Sequence, residues 1–234
     1  MRVDGVLFDL DDTLLDHSGA VVAALDSWLP TIGVTPGPEA LALWLDLQER
    51  HLQAWRERRI SYGEQQRRRL RDFLPAVRVT YADQDLDEIF GGYLAAYQSS
   101  YRAFPDVAGA LAALAAAGVA TAVLTNGATE QQNDKLARVG LADRTGPVFT
   151  VEDLGVAKPD PAAFELACAR WGRPPSTVLS VGDRHDLDVL PARLAGLRAV
   201  HLDRHDRGPH DEPHRLTSLT DLPALLTGLP GRST

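Results

Sequence analysis

The chain has 234 residues, 44% hydrophobic and 24% charged, with a formal charge of -8; this is globular composition and excludes disorder as the default state. The acidic balance argues against a nonspecific nucleic-acid binder, whose affinity comes from Lys and Arg neutralising phosphates. One cysteine, Cys168, excludes an internal disulfide and a cysteine cluster for zinc. The N-terminus carries an aspartate at position 4 and a carboxylate pair soon after, which fits neither a signal peptide nor a membrane span, so a cytoplasmic location is expected.

In chain order, Val6-Leu7-Phe8 reads as a first buried strand. From about Asp16 to Ser100 no strand run follows. Instead, Leu41, Trp44, Leu45, Leu52 and Trp55 form one helical stripe, and Leu86, Ile89, Phe90, Tyr93, Leu94 and Tyr97 form another. Their spacing predicts helices packed on one another, inserted above the carboxyl end of the first strand. Leu111 and Leu114 mark a helix that stops near Gly118. Thr121–Leu124, Val148-Phe149, Val178–Val181 and Ala199–Leu202 read as further parallel strands. Between them a helix begins at Pro161 and runs to about Trp171, with Cys168 as a buried structural thiol. The segment Asp203 to His214 reads as a surface loop, and Leu229 to Thr234 as a frayed tail. Alternating strands and helices predict an α/β fold with a Rossmann-like parallel sheet covered on both faces. The expected division is a core of residues 1–15 and 101–234 and a helical cap of residues 16–100.

The polar residues fall at the strand ends. Asp9, Asp11 and Thr13 follow the first strand directly, at the edge of a parallel sheet where ligands bind. Taken alone, this pattern also fits a strand ending in solvent. The second run ends in Thr125-Asn126-Gly127, a hydroxyl, an amide and an open backbone suited to phosphate oxygens. Ala157-Lys158-Pro159-Asp160 supplies a lysine, a residue usually found solvated. The fourth run opens into Gly182-Asp183-Arg184-His185-Asp186-Leu187-Asp188. Four such motifs, in order, are hard to attribute to chance.

Together they resemble the motifs of the haloacid dehalogenase superfamily, in its subfamily I, whose helical C1 cap follows the first motif. The resemblance spans nearly the whole chain and is to the phosphatase-like members. It implies Asp9 as nucleophile, Asp11 as general acid/base, and Thr125 and Asn126 as phosphate-binding residues. It further implies Lys158 as the third-motif lysine, which acts in catalysis and in phosphate binding. Mg2+ would be held by Asp9, the Asp11 backbone carbonyl and Asp183, with Asp188 in a lesser position, direct or through water. The implied reaction is hydrolysis of a small phosphorylated metabolite (nucleotide, sugar phosphate or phosphoglycolate type) through an aspartyl phosphate. The implied partners are that metabolite alone, with no nucleic acid and no membrane, in a monomer or homodimer.

Other residues are expected to do less. His201, His205, His210 and His214 lie near Asp203, Asp206 and Asp211, but match no tight zinc spacing. Arg67, Arg68, Arg69 and Arg71 read as a solvated helix face. Asp12 is expected to stabilise its turn and Asp186 to face water. His17, Arg184 and His185 adjoin motifs and could reach the substrate. A phosphomutase would keep Asp9, Asp11 and the metal. A 2-haloacid dehalogenase would need neither the metal nor an acid at Asp11, and a non-catalytic ligand-binding relative would be expected to have lost a motif residue.

Overall fold

A computed structural model of the protein describes residues 3–228. The tail at 229–234 lies outside the described residues. The chain divides into two compact units, one of residues 1–16 and 103–234 and the other of residues 17–102.

The second unit is helical: α1 (His17–Trp28), α2 (Pro38–Arg56), α3 (Tyr62–Ala76) and α4 (Leu86–Ser99). Ser61 caps α3 by accepting a hydrogen bond from the Glu64 N–H, which satisfies one of the amides a helix start leaves unpaired. The helices close on an aromatic cluster of Trp28, Trp44, Phe73, Phe90 and Tyr93, with Trp44 and Tyr93 ring centres 4.4 Å apart. Burying each such ring stabilises the unit by roughly 1.5–3 kcal/mol. The buried stripe of α2 is Trp44, Leu47, His51 and Trp55, whereas Leu45 is 41% exposed. The expected stripe was thus rotated: at 100° per residue, Leu45 falls off the face that Trp44 and Leu47 share.

The first unit holds a parallel sheet of β1 (Gly5–Phe8), β2 (Ala120–Thr125), β3 (Val148–Thr150), β4 (Val178–Gly182), β5 (Arg198–Leu202) and β6 (Arg215–Leu216). Their order is β3-β2-β1-β4-β5-β6, and every pairing is parallel. The two-residue β6 is too short to leave a sequence pattern. Helices α5 (Val107–Ala116), α6 (Thr129–Arg138), α7 (Val151–Leu154), α8 (Pro161–Trp171), α9 (Leu190–Leu194) and α10 (Leu222–Gly228) complete the unit.

Side chains alternate across the sheet with period two. Val6 and Phe8 join a core with Val107, Leu111, Leu114, Leu219 and Leu222, while Leu7 joins another with Phe164, Ala167, Cys168 and Ala192. Central β1 is therefore buried on both faces, which is why it reads as a continuous apolar run. From β1 the chain moves to β2 and β3 on one side, then returns to β4 on the other. That reversal falls between β1 and β4, and the carboxyl ends of the strands at such a switch are the usual ligand edge of these sheets. No helix among the described residues is long and apolar enough to cross a membrane.

Candidate active site

Phe8 is in register with Val123 of β2 and Val181 of β4, so the residues after it emerge between the ends of those strands. The Asp9 N–H still donates to the Val181 carbonyl, 2.9 Å away. Beyond it the chain turns sharply, with Asp12 at φ 63° and the Leu14 and Leu15 N–H groups both donating to the Leu10 carbonyl. Asp12 thus holds a left-handed position, one that aspartate tolerates better than most residues. Thr13, fully buried, accepts a hydrogen bond from the Asp183 N–H and donates to its carboxylate at 3.4 Å, joining the first motif to the fourth.

Asp9, Asp183 and Asp188 bring carboxylate oxygens within 4.8 Å of one another. Lys158, 5% exposed, donates to Asp9 at 2.7 Å and to Asp188 at 2.6 Å. Three carboxylates thus face one buried ammonium. Burial raises the Asp9 carboxyl to about 7, opposed by Lys158 and reinforced by Asp188 and Asp11. Burial also raises Asp183 to about 8, helped by Asp9, Asp188 and Asp12. Both shifts come first from burial and then from the crowding of carboxylates. A hard divalent cation bound by oxygen ligands suits that donor set.

Asp188 is held firmly for a residue in a turn. Its second oxygen accepts the Arg184 N–H at 3.0 Å, and the wide turn His185–Val189 folds it back over Gly182. A Cβ on Gly182 would lie 2.3 Å from the Asp188 carboxyl carbon, so only glycine fits there. His201, also buried, bonds through Nε2 to the Asp183 carbonyl at 2.9 Å. A carbonyl only accepts, so Nε2 carries the proton. His201 thus braces the fourth-motif loop.

The remaining motif residues take distinct positions. The Thr125 hydroxyl, 3% exposed, accepts from the Gly127 N–H and from Gln132 Nε2. The Asn126 side chain is reciprocally bonded to the Lys158 main chain, donating to its carbonyl at 2.7 Å and accepting from its N–H at 2.8 Å. Asn126 therefore sets the Lys158 backbone with the amide that was expected on phosphate. Asp11 sits with both oxygens on Lys135 Nζ, at 2.6 and 2.8 Å, and one oxygen 3.1 Å from Gln132 Nε2.

Lys135 and Gln132 carried no motif. They lie in α6, where Gln132, Lys135 and Leu136 are the buried residues, two of them polar side chains that the sequence alone would place in solvent.

Other expectations divide. Arg67, Arg68 and Arg71 form partly or largely exposed ion pairs with Asp87, Glu64 and Asp83. Arg69 does not share that solvated face: it is 4% exposed, stacked on Trp44 and Phe90 and bonded to Gln48 and Gln65. A residue two positions after Arg67 turns to the opposite side of the helix. The loop 203–214 is anchored where simple solvation was expected. Arg204 donates to the Thr13 carbonyl and to Asp106, and buried Asp203 accepts from the Arg207 and Gly208 amides and from Arg215. Arg204 thereby ties this loop to the first-motif turn. His17 bonds Tyr97 and Gln48 within the helical unit, Asp186 pairs with Arg184, and His185 lies on Glu212.

Residues 3–196 match the family model described as haloacid dehalogenase-like hydrolase. The chain belongs to that family. Among relatives, the phosphoserine phosphatase of Thermus thermophilus is 40% identical over 44% of this chain and 42% of its own length. The (S)-2-haloacid dehalogenase 1 of a Pseudomonas species is 34% identical over 54% of this chain and 57% of its own. The chain thus spans about half the length of these two. The glyceraldehyde 3-phosphate phosphatase of Methanopyrus kandleri is 30% identical over 86% of this chain and 84% of its own. The solved structure of the HAD-hydrolase YfnB from Bacillus subtilis, bound to magnesium, shares the fold. Its TM-score is 0.82 at 21% identity, covering 97% of this chain and all of that one.

Proposed function

We propose that this hydrolase is a magnesium-dependent phosphatase of a small phosphate monoester, acting through an aspartyl phosphate on Asp9. The observation that carries the reading is Asp11. A second carboxylate two residues from the nucleophile, beside a cluster of three acidic groups, suits phosphorus. A hydrolase of carbon–halogen bonds has no use for such an acid. A phosphatase-named relative that aligns along most of its length supports the same reading.

Asp9, Asp183 and Asp188, with the Asp11 carbonyl, would hold the magnesium. When bound, that ion supplies positive charge against the repulsion between a carboxylate and a phosphate dianion. Asp9 attacks phosphorus; the ester P–O bond breaks, its electron pair leaves on the alkoxide oxygen, and Asp11 gives that oxygen a proton. In the second half, water attacks phosphorus and yields its proton to Asp11. The P–O bond to Asp9 breaks and the carboxylate is restored. Lys158 and the Thr125 hydroxyl stabilise charge on the phosphoryl oxygens, since the chemistry demands mainly positioning and neutralisation.

The test is a panel of small phosphate monoesters, scored for released phosphate with magnesium and with EDTA. Turnover with magnesium, abolished in a folded Asp9→Asn variant, is expected. No phosphate from any monoester, with halide released from a 2-haloacid in EDTA, would overturn the reading. Return of the phosphoryl group to a sugar acceptor would replace it with a mutase.

A further inference from the structure

Beneath the first two motifs lies a buried polar cluster that no motif contains. Lys135 and Gln132 stand one turn apart on α6, 2% and fully buried respectively, and both reach Asp11. Gln132 Nε2 also donates to Thr125 Oγ1 at 2.6 Å. One amide nitrogen therefore joins the carboxylate that would move the proton to the hydroxyl that would hold the phosphate.

The chemistry of the acceptors fixes the arrangement. The ionised Asp11 carboxylate only accepts, and the protonated form keeps an accepting oxygen, so the Gln132 nitrogen faces it, and the same nitrogen then has its second proton for Thr125. Thr125 Oγ1 takes that proton and a second hydrogen bond from the Gly127 N–H. Its own O–H is left to donate elsewhere, as a phosphate oxygen would require. The Gln132 carbonyl oxygen has no hydrogen-bond partner among the described residues despite its burial, an arrangement that costs stability. The flipped amide would set that oxygen against Asp11. Space has been kept for this amide: a Cβ on Gly127 would lie 2.4 Å from the Gln132 side chain. Gly127 thus serves the second motif by leaving room for Gln132.

We infer that Gln132 and Lys135 are positioning residues, which register the general acid Asp11 against the phosphate-binding hydroxyl of Thr125. This rests on the phosphatase reading above. Misplacing an acid by an ångström suffices to lose much of its contribution. A good leaving group, by contrast, departs without a proton. Removing Lys135, which reaches Asp11 and not Thr125, should therefore damage hydrolysis of alkyl esters selectively, whereas general loosening of the fold would damage all substrates alike.

The experiment compares kcat/KM for p-nitrophenyl phosphate and for the fastest alkyl monoester of the panel, in wild type, Lys135→Met and Gln132→Met. Since kcat/KM reports the step that breaks the ester bond, Lys135→Met should lower the alkyl value roughly 10–100-fold, with the aryl value held within about threefold. Gln132→Met should in addition weaken inhibition by inorganic phosphate, because Thr125 loses the donor that orients it. In an Asp11→Asn background Lys135→Met should cost less than about twofold further, as expected of residues acting as one unit. Equal losses on both esters in Lys135→Met, or a full further loss in the Asp11→Asn background, would overturn the positioning role while leaving the phosphatase intact. A wild type that releases no phosphate would overturn both. A variant that does not fold is replaced by the Asp11→Asn comparison with Lys135→Gln, for which the same outcomes hold.

Discussion

Lys158 works in two directions at once. Its ammonium lies between Asp9 and Asp188, with side chains 12% and 3% exposed, and those carboxylates push it further toward the charged form against the desolvation that opposes it. Removing the cation from a buried pair costs about 3–5 kcal/mol, because the opposite charge stays behind. Lys158→Met should accordingly abolish turnover and lower thermal stability above neutral pH. Near pH 5 the stability loss should shrink, since Asp9, raised to about 7 in the native protein, takes up a proton there. A melting series of the variant across pH checks this, and a loss independent of pH would contradict it. Lys158 was legible in the sequence through its place after the third strand. Its second carboxylate was not, because the turn that folds Asp188 back is a matter of geometry.

At the scale of elements, the site depends on how each strand ends. β1 ends in a turn whose left-handed residue is Asp12, β2 in a glycine that clears Gln132, and β4 in a glycine that clears Asp188. Gly182→Ala should displace the Asp188 carboxyl, since a Cβ 2.3 Å from its carbon cannot be accommodated without a shift. We expect turnover to fall at least about tenfold, in line with the loss from misplacing a site by an ångström, and magnesium to be needed at higher concentration. Titration of activity with magnesium measures both, and wild-type behaviour would show that Asp188 moves freely. The strands themselves were readable because a buried parallel strand is a plain apolar run. The buried face of α6 was not, because its polar side chains are indistinguishable in sequence from a solvated helix.

Across the whole molecule, opposed groups set the response to pH. Asp9 and Asp183 have native values raised to about 7 and 8. Without metal, their contribution is complete below the ordinary carboxylate range and is lost as pH rises through those values. Glu212 behaves in reverse. Desolvation would raise it, but Arg193, the His214 N–H and His185 together hold it down at about 2. Its contribution is present above its ordinary value and is lost as pH falls through about 2. The metal-free protein should therefore be most stable between these limits, in mildly acidic solution. Under the proposed function magnesium would offset the carboxylate charge, so it should raise the melting temperature by several degrees at about pH 8.5 and by clearly less at about pH 6. Calorimetry with and without the ion decides it; equal shifts at both values would count against the acidic cluster as the binding site.

The sequence by itself determined the α/β class, five of the strands, the helical insertion and the order of the motifs. Hydrophobic period and chain order are local properties that survive without coordinates. Only the tertiary structure decided that Asp188 shares Lys158 with Asp9, that Asn126 is bonded to a backbone, and that Arg69 is buried while its neighbours are not. Only it brought Gln132 and Lys135 to Asp11, across more than a hundred residues of chain. Such pairings depend on which strand ends meet at the switch of the sheet and on which acceptors are left to be satisfied there.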